Sequence, residues 1–200
     1  SQTWTDDMMR EFRSRRSYDL LKWLPALAGH VIGSSEETDR FLQDWRRTIG
    51  EMMVDYHYDG LEPILKEYGL KRYTEFHEGG KAFHADGMAV KRKADIPMGA
   101  VWTRPDGLAY NRYMTDIRES ASVAHIYGQN VVAAEAFTTD GNMEASDGTI
   151  LSWNMTPEKM KGAADMAMAN GLNCFVIHCS VHQPVDDRVP GLSLSQYGAW

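Results

Sequence analysis

Glu135 stands in the run Val131-Val132-Ala133-Ala134-Glu135-Ala136-Phe137, a continuous apolar stretch of the kind that forms a strand buried on both faces. A carboxylate there is not an ordinary solvated charge. It needs either a cationic partner on a neighbouring strand or an active-site role. Other residues could join it. Glu75 is followed by Phe76, His77 and Glu78, which form either a polar site or a loop of solvated charges. Asp95, in Ala94-Asp95-Ile96-Pro97-Met98-Gly99, either binds substrate hydroxyls or caps a turn. His178 precedes His182, Gln183 and Pro184, and such a cluster of hydrogen-bonding groups could recognise a sugar, although a lone histidine is more often a satisfied structural group.

Trp102, Tyr110, Trp153 and Trp200 fall in predicted loops, where an aromatic face can stack on a sugar ring; core packing is the ordinary role of any single one. Together these residues favour a carbohydrate substrate over an acyl or phosphoryl one. The sequence contains no G-x-S-x-G elbow, no P-loop and no H-E-x-x-H pair. Asp140-Gly141-Asn142-Met143-Glu144 offers oxygen ligands without the spacing of an EF-hand, so it reads as a solvated loop.

Composition is consistent with this. The 200 residues are 43% apolar and 24% charged with a net charge of -7, the balance of a single globular domain. Lysines and arginines are scattered, which argues against nucleic acid as a partner. No apolar run approaches the roughly 20 residues that span a bilayer, so no membrane association is expected. Ser1 to Arg16 has neither the basic start nor the apolar centre of a signal peptide, and localisation stays open, with a secreted or periplasmic parent as the expectation. Cys174 and Cys179 lie on opposite faces of one predicted strand and cannot pair.

The elements that must position these groups alternate. Helices are predicted over Asp6 to Arg16, Tyr18 to Leu27, and from the cap at Ser34 and Ser35 through Tyr56. A helix from Leu61 to Tyr68 ends at Gly69, and short strands follow at Leu70 to Glu75 and Ala94 to Pro97, separated by a long loop. Tyr113 to Tyr127 is helical and stops at Gly128, ahead of the Glu135 strand. After a polar loop, Thr156-Pro157-Glu158 starts a helix that runs to about Asn170, and Cys174 to His178 is a second apolar strand. Such alternation implies parallel strands with crossover helices. Without a glycine-rich phosphate loop, and with Glu75, Asp95, Glu135 and His178 expected at the C-terminal ends of successive strands, the pattern favours an α/β fold that is part of a (β/α)8 TIM-type barrel.

The motifs Tyr18-Asp19-Leu20, Leu24-Pro25-Ala26-Leu27-Ala28-Gly29, Asp39-Arg40-Phe41-Leu42, Ala94 to Gly99, Ala133 to Thr138, Phe175 to His178 and His182-Gln183-Pro184 occur in that order. They resemble successive motifs of the α-L-rhamnosidases of glycoside hydrolase family 106. The resemblance implies a (β/α)8-type catalytic domain, calcium-assisted binding of rhamnose, and inverting hydrolysis of terminal α-L-rhamnosyl linkages by one glutamate acting as acid and another as base. Glu135 matches the base, leaving Glu75, Asp95, Trp102, His178, His182 and Gln183 as substrate-binding candidates.

Two departures go with it. The family's acid glutamate precedes the Trp-Thr matched by Trp4-Thr5, so it is expected upstream of Ser1, and Ala100 stands where many members carry a glutamate linked to the calcium site. Residues 1–200 are accordingly expected to be the middle to late part of the barrel, lacking N-terminal strands and C-terminal accessory domains and inactive alone. Two alternatives are a non-catalytic carbohydrate-binding relative and a structural α/β domain without a site.

Overall fold

The computed structural model describes residues 3–76, 85–104, 106–139, 155–189 and 191–192. The chain forms two compact units, one comprising Ser1–Leu70 with Ala82–Val90 and the other Lys71–Lys81 with Lys91–Trp200.

The first unit is helical. Its longest helix, α2 (Ser35–Met52), follows α1 (Met8–Arg16) and a 3-10 turn at Leu21–Ala28. Ser34 and Glu37 form a reciprocal capping box that satisfies donors at the start of α2. Phe41, Trp45, Ile49 and Met52 recur along one face of α2 and are buried with Phe12, Leu20 and Ala26. Burial of a side chain such as Phe41 stabilises by roughly 1.5–3 kcal/mol. Three local departures from expectation occur here. The segment around Pro25 is 3-10 rather than α-helical, since proline supplies no N–H to an α-helical ladder. The end of α2 widens into a π-helical turn, Met53–Tyr58, before α3 (Asp59–Glu67). The first helix begins at Met8, two residues later than expected, with Asp7 as its cap position.

The second unit carries the sheet. In chain order its strands are β1 (Tyr73–Thr74), β2 (Ile96–Thr103), β3 (Ala133–Thr139) and β4 (Cys174–Ile177), and they pair in parallel in the same order, β1-β2-β3-β4. A short helix α4 (Gly87–Lys91) precedes β2, while α5 (Asn111–Tyr127) and α6 (Pro157–Ala169) link the later strands. A doubly wound sheet reverses its order at a switch point; the four described strands do not, and crossovers of the usual right hand would then put the linking helices on one face. Ile117, Ala121 and Ala124 of α5 and Ala163 and Ala167 of α6 share a core with Ala134 and Ala136 of β3. The small strand residues let the helix backbones approach closely. Among the described residues no helix is long and apolar enough to cross a membrane.

The second strand corrects the expectation most. It runs on to Thr103, which places Trp102 within a strand and Asp95 just before the strand's N-terminal start. Pro97 and Gly99 signal a break when only local preference is considered. Here Gly99 is required because the Asp116 carboxylate of α5 occupies the space of a side chain: a Cβ at Gly99 would lie 2.9 Å from Asp116 Oδ2. That carboxylate also accepts the Ala100 N–H at 3.1 Å. Gly99→Ala is therefore expected to push Asp116 away from the strand and to destabilise by about 1–3 kcal/mol, the penalty for a buried unsatisfied donor. Hydrogen exchange at the Ala100 amide checks this, and unchanged protection there would contradict it.

Candidate active site

Side chains alternate along each parallel strand, so one face of the sheet meets the helices and the other is left for function. The register sets Met98 beside Ala133, Ala100 beside Glu135, and Glu135 beside Val176. These residues lie on the face away from α5 and α6. A cleft of about 340 Å³ opens on that face, lined by residues that include Glu75, Met98, Glu135, Cys174, Val176 and His178. Both cysteines of the chain, Cys174 and Cys179, are free thiols.

An irregularity in β3 completes the site. Pairing with β2 shifts after Val101 and Ala136, so that Trp102 lies opposite Thr138 and Phe137 is the extra residue of a β-bulge. Phe137 has φ 65°, an uncommon conformation for a bulky L-residue. Without the bulge, strict alternation would place Phe137 beside Glu135 and turn Thr138 towards the helices. With it, Phe137 joins the helix-side core and stacks on Phe175, with ring centroids 5.3 Å apart. Thr138 then reaches the functional face.

There its hydroxyl donates to Glu135 Oε1 at 2.6 Å and lies 3.0 Å from His178 Nδ1. His178 Nδ1 and Glu135 Oε1 are 3.8 Å apart, beyond direct hydrogen bonding, so the threonine joins them. His178 continues the ladder beyond β4, its N–H donating to Ala136 O at 3.0 Å. The Glu135 and His178 side chains are 27% and 29% exposed, open enough to meet a ligand and buried enough to be held. No Arg or Lys takes part in this group among the contacts described, which separates it from an ordinary structural ion pair.

Of the residues singled out by sequence, Glu75, Glu135 and His178 come together in this cleft. The others are placed differently. Trp102, a strand residue, shares the face of Thr138 by register but stacks on Tyr113, with centroids 5.8 Å apart. Tyr110 packs edge-on against that same Tyr113 at the start of α5. Asp95 accepts the Arg72 N–H at 2.8 Å, tying the start of β1 to the beginning of β2 and not to its C-terminal end. Gln183 is an exposed loop clamp: its amide donates to Leu192 O at 2.8 Å and accepts from Leu192 N at 2.8 Å. His182 is exposed and outside the cleft lining. His77, Glu78, the Asp140–Glu144 segment, Trp153 and Trp200 lie outside the described residues. Thr138 was missed because no glycine or proline marks the bulge that brings it inward.

A family model described as alpha-L-rhamnosidase, that of glycoside hydrolase family 106, matches residues 1–200. The chain belongs to this rhamnosidase family. The solved structure of a rhamnosidase from Novosphingobium sp. PP1Y superposes with a TM-score of 0.84 at 41% identity, covering 98% of this chain and 18% of that one. A Formosa agariphila protein named "Putative beta-glucuronidase" is 35% identical over 195 residues, which are 98% of this chain and 15% of its own length. The chain thus spans under a fifth of either relative.

Among the described residues no three His, Cys, Asp or Glu side chains converge to hold a metal. Ala100, beside Glu135 in the register, contributes no side-chain oxygen.

Proposed function

We propose that the protein containing residues 1–200 hydrolyses terminal α-L-rhamnosyl linkages of glycans with inversion, and that Glu135 is its general base. Family membership supports the substrate class. The observation that carries the residue assignment is the Glu135 carboxylate standing in the cleft of the parallel sheet, where it accepts the Thr138 hydroxyl and, among the described residues, no Arg or Lys pairs with it. The sheet, with sequential strands and helices on one face, fits a segment of a (β/α)8 barrel, a fold that keeps its chemistry at the strands' C-terminal ends.

In the reaction, a water lies between Glu135 and the anomeric carbon. Glu135 takes one proton of that water as its oxygen forms the new bond to the sugar, and the glycosidic bond breaks on the opposite side. A second carboxyl group gives its proton to the departing oxygen. Inverting enzymes set the two groups roughly 6.5–9.5 Å apart to leave room for that water. By the family resemblance the acid lies upstream of Ser1. Glu75 and His178, in the same cleft, bind sugar hydroxyls in this reading.

The direct test follows the stereochemistry. The full-length protein is given a chromogenic aryl α-L-rhamnoside while the released sugar is observed by proton NMR before it mutarotates. β-L-Rhamnose is expected first. Initial release of the α-anomer would rule out inversion, and turnover of an aryl β-D-glucuronide in its place would move the substrate to the class named for the Formosa relative.

A further inference from the structure

We propose that Thr138 is a positioning residue for Glu135, its single hydroxyl fixing both the carboxylate's orientation and the tautomer of His178. This deepens the reading of Glu135 as the base and rests on it.

A threonine hydroxyl has one proton and two acceptor sites. Its 2.6 Å separation from Glu135 Oε1 is in the range of a hydroxyl donating to an ionised carboxylate. The proton being used there, Thr138 Oγ1 can only accept from His178, so the 3.0 Å contact requires the imidazole proton on Nδ1. The chain of donors then runs from His178 Nδ1 through Thr138 Oγ1 to Glu135 Oε1. With Oε1 occupied, Oε2 is the oxygen left to take the proton of the attacking water.

Three features make this a constraint and not a chance contact. Thr138 is 1% exposed, so its hydroxyl cannot exchange Glu135 for bulk water. As a β-branched residue it has few χ1 choices. Above all, it reaches Glu135 only because the chain adopts the positive φ and extra residue at Phe137. A locally unfavourable backbone that turns one hydroxyl towards a functional carboxylate is the pattern expected where geometry serves a site.

The test compares the full-length wild type with Thr138→Val, Thr138→Ser, Glu135→Gln and the Thr138→Val/Glu135→Gln double variant on an aryl α-L-rhamnoside. Valine keeps the shape and removes the hydroxyl. Misplacing a reacting group by about 1 Å can cost 10²-fold, so Thr138→Val is expected to lower kcat by about 10- to 100-fold with KM within about threefold. Thr138→Ser restores kcat to within about threefold of the wild type, and Thr138→Val in the Glu135→Gln background changes the rate by less than about threefold, because the hydroxyl acts through the carboxylate. Wild-type kcat in Thr138→Val, alongside an impaired Glu135→Gln, would overturn the proposal. So would an equal loss in both backgrounds, which marks a packing effect. If Glu135→Gln itself retains full turnover, the base assignment fails, and the proposal falls with it by a separable route.

Discussion

Glu135→Gln in the full-length protein is expected to lower kcat by about 10²–10⁴-fold, the contribution of a positioned general base, while the fold is unchanged. Glutamine has the same shape, and its side-chain oxygen can still accept the Thr138 hydroxyl that the carboxylate accepts in the wild type. The side chain is also partly open to the cleft, so no buried charge is stranded by the exchange. What the substitution removes is the ability to take a proton from water. A loss confined to kcat, with KM and the thermal melt close to wild type, separates this from a loss of substrate binding or of structure. Undiminished hydrolysis would remove Glu135 from the mechanism. Glu75 lines the same cleft and serves as the control: if it binds sugar as proposed, its Gln variant is expected to act mainly on KM.

The features legible in the sequence are those decided by neighbours in the chain. Ser34 with Glu37, Thr156 with Pro157, and Gly128 each mark a helix boundary through local hydrogen bonding or backbone freedom, and α2, α6 and the end of α5 lie where those residues put them. The apolar runs around Glu135 and Val176 were long enough to mark strands, although only the first is buried and Val176 and Ile177 are exposed, and a carboxylate inside the first was visible as an anomaly. The features that were not legible depend on distant partners. Gly99 reads as a break until Asp116, in the following helix, is seen to fill its side-chain space. Asp95 and Gln183 look like ligand-binding groups until their backbone partners, Arg72 and Leu192, are known. The bulge at Phe137 is nonlocal in the same way: the Phe137–Phe175 stack and the pairing with β2 accompany an unfavourable φ with no marker in the local sequence.

The largest expected effect on stability lies behind the sheet. Lys91 is fully buried, and its ammonium group meets Asp116, Ser120 Oγ at 3.0 Å and Glu119 at 2.9 Å. Asp116 in turn holds the Ala100 N–H, in the stretch of β2 that lies beside Glu135. Lys91→Met removes the positive charge and leaves the buried Asp116 carboxylate beside the partly exposed one of Glu119. Breaking one side of a buried pair typically costs 3–5 kcal/mol, and about that loss is expected. Its pH dependence supplies a check of sign. Burial raises the pKa of Asp116, and Lys91 opposes that rise. Without the lysine the folded-state pKa moves further above the unfolded value, so protonating Asp116 favours the folded state. The destabilisation by Lys91→Met should therefore be smaller near pH 5 than near pH 8, read as the difference in melting temperature from wild type at each pH. Lys91→Met/Asp116→Asn, which removes one of the stranded charges and keeps an acceptor for Ala100, should recover part of the loss at pH 8 and show a weaker pH dependence. A Lys91→Met loss that is equal at both pH values would mean that packing of the lysine stem, rather than the buried charge pair, is what holds α5 to the strand beneath the site.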